Sequence, residues 1–202
     1  MGRDKFQVSR QKNLFGHQES IPDSSTGRDS FSVVEEIRGW LRDVCFAGLT
    51  AILIVVFVVQ PVRVEGTSME PKLKPQDRIF VNKLVYHISK IERGDIVVFW
   101  YPKDLSKSFI KRVIGLPGEM VEIRSGVVFV DREELTEPYI PPEYFDSKSF
   151  ASEVVSDGNY FVLGDHRNSS NDSRTWGLVP QQNIFGEAVF RYWPLSQLGL
   201  IR

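Results

Sequence analysis

Sixteen consecutive residues, Val44–Val59, carry no charge, and polar or charged residues close the run at both ends: Arg42-Asp43 before it and Gln60-Pro61-Val62-Arg63 after it. A run of this kind leaves a chain two choices, a buried core helix or a membrane segment. A core helix carries a polar face along one side, and this run carries none. It is shorter than the ~20 residues of a spanning helix, but Trp40 and Leu41 extend it into the interfacial layer. Its Leu, Ile, Val and Phe residues favour insertion by roughly 3–7 kcal/mol in total. The expectation is a permanent transmembrane anchor over residues 40–60. The run starts far from Met1 and no small-x-small pattern precedes Pro61, which argues against a cleavable leader. Arg28, Arg38 and Arg42 precede it while Arg63, Lys72, Lys74 and Arg78 follow, so charge bias alone sets no direction of insertion.

On either side the texture changes. Residues 1–39 are polar, with a turn-rich stretch at Pro22-Asp23-Ser24-Ser25-Thr26-Gly27, and are expected to form a mobile tail with a short helical lead-in over Val33–Leu41. Residues 61–202 break into short β-branched runs separated by turn signals. Strands are predicted at Arg78–Asn82, Asp95–Trp100, Phe109–Ile114, Met120–Arg124, Val127–Asp131, Tyr160–Leu163 and Glu187–Trp193. Hairpin turns are predicted at Arg124-Ser125-Gly126 and Asp131-Arg132-Glu133. Two short helices are expected, at Lys83–Lys90 and Pro180–Ile184. Long helices do not alternate with the strands, so a doubly wound α/β sheet is excluded. The fold class is mainly β, an antiparallel domain behind a single N-terminal helix.

A formal net charge of -1 over 202 residues argues against a nucleic-acid binder. No Cys-His spacing suits a metal and no Gly-rich loop suits a phosphate, so neither metal nor cofactor is expected. Cys45, the single cysteine, reads as a small buried apolar residue. Chemistry concentrates elsewhere. Ser68 stands in Gly66-Thr67-Ser68-Met69-Glu70-Pro71, a few residues beyond the apolar run, and Lys111 stands in Phe109-Ile110-Lys111-Arg112-Val113-Ile114-Gly115-Leu116-Pro117-Gly118. A serine hydroxyl needs a base, and lysine serves only when its charge is suppressed. Desolvation by Met69, Phe109, Ile110 and Val113 is the means available here.

With Arg93-Gly94-Asp95-Ile96-Val97-Val98-Phe99 and Gly164-Asp165-His166-Arg167-Asn168-Ser169-Ser170-Asn171-Asp172-Ser173-Arg174, these segments resemble the type I signal peptidase (leader peptidase) family. Order and spacing match from about Gln60 to Pro194. The resemblance implies a membrane-anchored serine endopeptidase that removes N-terminal signal peptides from exported preproteins. Ser68 is then the nucleophile and Lys111 the general base. It further implies antiparallel sheets with an apolar surface against the lipid bilayer and a catalytic domain on the external side. Its partners are then signal peptides and, indirectly, the protein export machinery. A plasma membrane and a thylakoid-type membrane meet these requirements equally.

By the same resemblance, Ser170 bonds the Lys111 ammonium and aims it, with Ser169 and Ser173 as chemically equivalent neighbours. Asp172 and Arg174 form an ion pair holding the loop, and Asp165 pairs with Arg112, a contribution that stays small if the pair is exposed. Some members carry a serine two residues before the nucleophile as an oxyanion donor. Here that position is Gly66, leaving the Ser68 N–H as one donor and the Thr67 hydroxyl, a water or a substrate group as the other. An extended peptide is expected along Glu65–Ser68 and Ser108–Ile110, against Met69, Phe109 and Ile110, with small side chains one and three residues before the cut.

Other readings have less behind them. His166 beside Asp165 suggests a Ser-His-Asp triad, but no G-x-S-x-G elbow surrounds Ser68. Ser108-Phe109-Ile110-Lys111 satisfies Ser-x-x-Lys, yet Ser-Asp-Asn and Lys-Thr-Gly elements are missing. A self-cleaving repressor would share the Ser/Lys pair but bring a helix-turn-helix, which is not visible. A non-catalytic, membrane-tethered peptide-binding β module would have no use for both Ser68 and Lys111.

Overall fold

The computed structural model describes residues 29–201, and the chain divides into two units between Phe46 and Ala47. Helix α1 (Asp29–Phe57) crosses that division. Its described apolar side chains are open to solvent, with Trp40 at 69%, Phe46 at 68% and Ile52 at 61% exposure. Two sequence expectations change here. The helical lead-in expected over Val33–Leu41 is present but starts earlier, at Asp29, while residues 1–28 lie outside those described. The helix also stops at Phe57, and the last residues of the expected 40–60 span begin strand β1 (Val59–Arg63). Among the described residues, no helix is long and apolar enough to cross a membrane.

The reason β1 is a strand lies in its partner. Val59–Arg63 pairs antiparallel with β2 (Arg78–Asn82), from Val59 opposite Asn82 to Arg63 opposite Arg78. β-branched residues suit that ladder, and Pro61 is tolerated because β1 forms the edge of its sheet.

β3 (Ile96–Tyr101), β4 (Asp104–Gly115), β5 (Met120–Arg124), β6 (Val127–Val130), β7 (Glu133–Glu134), β8 (Phe150–Val154), β9 (Asn159–Leu163), β10 (Val179–Pro180), β11 (Ile184–Trp193) and β12 (Gly199–Leu200) complete two antiparallel sheets. The larger runs β1-β2-β11-β3-β4-β9-β10, with β12 on β11, and the smaller runs β7-β6-β5-β8. The predicted hairpins close the smaller sheet. Ser125 and Gly126 turn β5 into β6, and Asp131 and Arg132 turn β6 into β7, all four with positive φ as tight hairpin turns require.

β3 reads Ile96-Val97-Val98-Phe99 without alternation because both of its faces are covered. Ile96 and Val98 join Val64, Met69, Leu73, Ile79, Val81 and Ala188 in one core. Val97 and Phe99 join Val113, Val162, Trp176 and Val179 in another. A third core ties the sheets together, with Ile114, Phe161 and Leu163 against Val121, Ile123 and Val128.

The helices are shorter than expected. The 83–90 helix is α2 (Val85–Ile88), and the 180–184 helix is a single 3-10 turn over Gln181–Asn183. Helix α3 (Ser173–Trp176), inside the polar loop, was not predicted. Asp172 caps it by accepting from the Arg174 N–H.

Candidate active site

Ser68 sits in a turn fixed from both ends. Val64 donates to the Asp77 carbonyl at 2.8 Å and accepts from Gln76 N–H at 2.9 Å, while Leu73 N–H donates to the Met69 carbonyl at 2.8 Å. Met69, 2% exposed, anchors the turn in the core just after Ser68. Gly66 enters the turn at φ +77 with no atom within 4 Å of where a Cβ would stand. Backbone conformation, not space, favours glycine there, since an L-residue would be strained by about 1–2 kcal/mol.

Lys111 comes from the interior of β4, 43 residues along the chain, and its Nζ donates to Ser68 Oγ at 2.6 Å. The residue is 3% exposed. Burial removes the hydration an ammonium needs and brings its pKa from the ordinary 10.5 down to about 8, with Arg174 pushing the same way and Asp172 and Asp165 opposing. The Phe109 ring, centred 5.6 Å from Nζ, forms part of the apolar wall.

The loop after β9 surrounds the pair. Asp172 and Arg174 form the expected ion pair at 2.8 Å, and Arg174 also reaches Asp146 at 3.0 Å and the Arg167 carbonyl at 2.8 Å. Arg112 holds Asp165 through two hydrogen bonds of 2.8 and 2.7 Å. That pair was expected to matter little if exposed. It is buried, at 3% and 0% exposure, so loss of either partner strands a charge in the interior.

Ser170 differs from expectation. Its Oγ is buried and makes no hydrogen bond, so the predicted bond to Lys111 is not formed. The hydroxyl instead crowds Gly164, where a Cβ would collide with both Ser170 Oγ and the Ser68 carbonyl oxygen. Ser169 is exposed, and Ser173 Oγ accepts from Val162 N–H at 3.0 Å.

His166 approaches the Ser68 turn without engaging the Ser68 hydroxyl. Its Nδ1 lies 3.1 Å from the Thr67 carbonyl oxygen and 3.6 Å from Glu70. Asp165, the third member of any triad, is committed to Arg112.

A cleft of about 320 Å³ opens beside Ser68 and Lys111, lined by residues including Val62, Glu65, Gly66, Ser68, Met69 and Phe109. It also takes in Ser108, Ile110 and Lys111, so the two expected substrate edges face one space. Thr67 contributes its carbonyl to the turn by accepting from Glu70 N–H at 3.0 Å. Among the described residues, no group of three or more His, Cys, Asp or Glu could hold a metal ion.

Sequence reasoning missed Gly164, Glu137, Tyr139 and Asp146. The last three lie in a proline-rich stretch with no periodicity, and nothing local ties them to a loop some 30 residues away.

The chain matches the family described as signal peptidase, peptidase S26, over residues 37–193. It is 45% identical over 158 residues to the probable signal peptidase I-1 of Synechocystis sp., covering 74% of this chain and 79% of that protein. To the signal peptidase I of Leptolyngbya laminosa it is 43% identical over 165 residues, covering 75% and 79%. To the signal peptidase IB of Staphylococcus aureus it is 34% identical over 179 residues, covering 81% and 93%. A crystal structure of a signal peptidase I from Enterococcus faecalis is 35% identical, with a TM-score of 0.44, and the match covers 50% of this chain and 97% of that one.

Proposed function

Because the chain belongs to the signal peptidase family, peptidase S26, we propose that it is a serine endopeptidase that removes N-terminal signal peptides from exported preproteins at a membrane surface. Ser68 is its nucleophile and Lys111 its general base. The observation that carries this reading is the 2.6 Å contact between Lys111 Nζ and Ser68 Oγ at the wall of an open cleft.

The neutral Lys111 amine takes the Ser68 hydroxyl proton as Oγ bonds to the scissile carbonyl carbon. The oxyanion that forms is met by the Ser68 N–H and by a second donor, the Thr67 hydroxyl or a water, in place of the hydroxyl Gly66 lacks. The Lys111 ammonium then protonates the leaving amine as the C–N bond breaks. In the second half, Lys111 takes a proton from water, the hydroxyl attacks the acyl ester, and Ser68 leaves with its proton restored.

The substrate lies as an added strand. β4 pairs with β3 from Asp104 to Arg112, whereas β9 joins its other edge only from Arg112 onward. Among the described residues, the backbone of Ser108–Ile110 is therefore without a strand on that side, and it lines one cleft with Glu65 and Gly66. Val62, Met69 and Ile110 leave shallow apolar room, which suits small side chains one and three residues before the cut. Ser170 and Gly164 support the nucleophile turn from behind.

The uncharged stretch of α1 brings this chemistry to a bilayer, with the catalytic domain on the external side where preproteins emerge. Its exposed Trp40, Phe46 and Ile52 support that placement, because apolar surface in water is costly at roughly 25 cal/mol per Å².

The test is to incubate the detergent-solubilised chain with a preprotein carrying alanine one and three residues before the cut. One shortened product is expected, absent with Ser68→Ala and absent when those alanines are made bulky. A product that forms equally with Ser68→Ala overturns the assignment.

A further inference from the structure

The connection between β7 and β8 is a strap, Glu137-Pro138-Tyr139-Ile140-Pro141-Pro142-Glu143-Tyr144, whose three prolines restrict its backbone. It touches the catalytic loop at successive points. Glu137 accepts from both terminal nitrogens of Arg167 and, at 2.6 Å, from the Tyr139 hydroxyl. The Arg112 guanidinium lies over the Tyr139 ring, 4.0 Å from its centroid. The Glu143 carbonyl accepts from Asn168 at 3.1 Å, and the Tyr144 ring meets the His166 ring edge-on at 4.6 Å. Arg112, the target of Tyr139, adjoins Lys111 in sequence.

The charges acting on Lys111 come from Asp172, Asp165 and Arg174. Asp172 is bound by Arg174 and by the Gly164 N–H. Among the described residues, the Asp165 side chain is hydrogen-bonded by Arg112, with Lys72 and Arg167 also in its field. Arg112 itself is fixed by three contacts: Asp165, the Gly94 carbonyl at 2.9 Å and the Tyr139 ring. The ring is the only one of the three supplied by the strap.

We propose that Tyr139 is a positioning residue for Lys111, acting through Arg112. Its ring, steadied by Glu137, holds the guanidinium on Asp165, which neutralises that carboxylate and leaves the Lys111 amine turned to Ser68. This rests on the reading of Ser68 and Lys111 as the catalytic pair. A planar ring face suits a guanidinium, which binds through its own plane. When the ring is lost, Arg112 loosens and the Asp165 charge, less fully compensated, favours the Lys111 ammonium.

The experiment measures kcat and KM against pH in the full-length chain, using a peptide with alanine one and three residues before the cut. Tyr139→Leu should lower kcat about tenfold at pH 7 and move its rising limb upward by about one pH unit, with KM little changed. Tyr139→Phe keeps the ring and should recover most of the loss. If Tyr139→Leu does not fold, Tyr139→Met carries the same test. An unmoved limb overturns the proposal, as does a Tyr139→Phe profile no better than that of Tyr139→Leu. Ser68→Ala is measured alongside: activity there sinks the catalytic pair itself, whatever Tyr139 does.

Discussion

His166 donates its backbone N–H to the Ser68 carbonyl oxygen at 3.1 Å, while its ring Nδ1 sits 3.1 Å from the Thr67 carbonyl oxygen. The contact that links this residue to Ser68 is therefore main chain, and it survives loss of the imidazole. His166→Ala is expected to lose less than about tenfold in kcat/KM. Removal of a general base costs about 10²–10⁴. A loss in that larger range, from peptide-cleavage kinetics, would return the base role to histidine.

The Lys111–Ser68 contact carries the opposite expectation. Ser68→Ala and Lys111→Ala should each lower kcat by at least about a hundredfold, and the double variant should add little because the two act as a unit. Lys111→Arg should be as inactive as Lys111→Ala, since a guanidinium stays protonated and cannot accept the Ser68 proton. The rate in the unaltered chain should climb with pH and level off above about 8, where Lys111 becomes neutral. A profile that falls through that range would sink the assignment.

Burial of Lys111 also has a stability cost, with a definite sign. Its pKa falls from 10.5 to about 8 on folding, so between those values the unfolded chain binds more protons and stability rises with pH. Below about 8 the full cost applies, roughly 3 kcal/mol at about 1.4 kcal/mol per pKa unit. Lys111→Met should therefore raise the Tm at pH 7, and the gain should shrink as pH climbs from 8 toward 10.5. A lower Tm at pH 7, by scanning calorimetry, would show that the lysine pays no such penalty.

Gly164 sets how closely the loop after β9 approaches the Ser68 turn. Gly164→Ala drives a methyl group into Ser170 Oγ and the Ser68 carbonyl oxygen, and overpacking of this kind costs about 1–3 kcal/mol. The variant should fold with a lowered Tm and lose most of its kcat, because the Ser68 turn must move. Unchanged kinetics would mean that the turn tolerates the shift.

The local patterns were legible in the sequence. β2, β5 and the two positive-φ hairpins follow from β-branched runs and turn residues within a few positions of each other. Three spaced segments singled out Ser68 and Lys111 before any distance was known. Tertiary contacts decided the rest. Val59–Arg63 became a strand because β2 offered a ladder, although Val59 and Gln60 read as the end of an apolar helix. Arg112 and Asp165 became a buried pair because strand and loop enclose them together, which no count of charges reveals. The Ser170 hydroxyl ended without a hydrogen bond, since its partners depend on loop geometry finer than residue spacing. Sequence specifies which groups can react and where β-branched runs and turn residues favour strands. Desolvation, ion-pair partners and the 2.6 Å contact at Ser68 come from packing residues far apart in the chain.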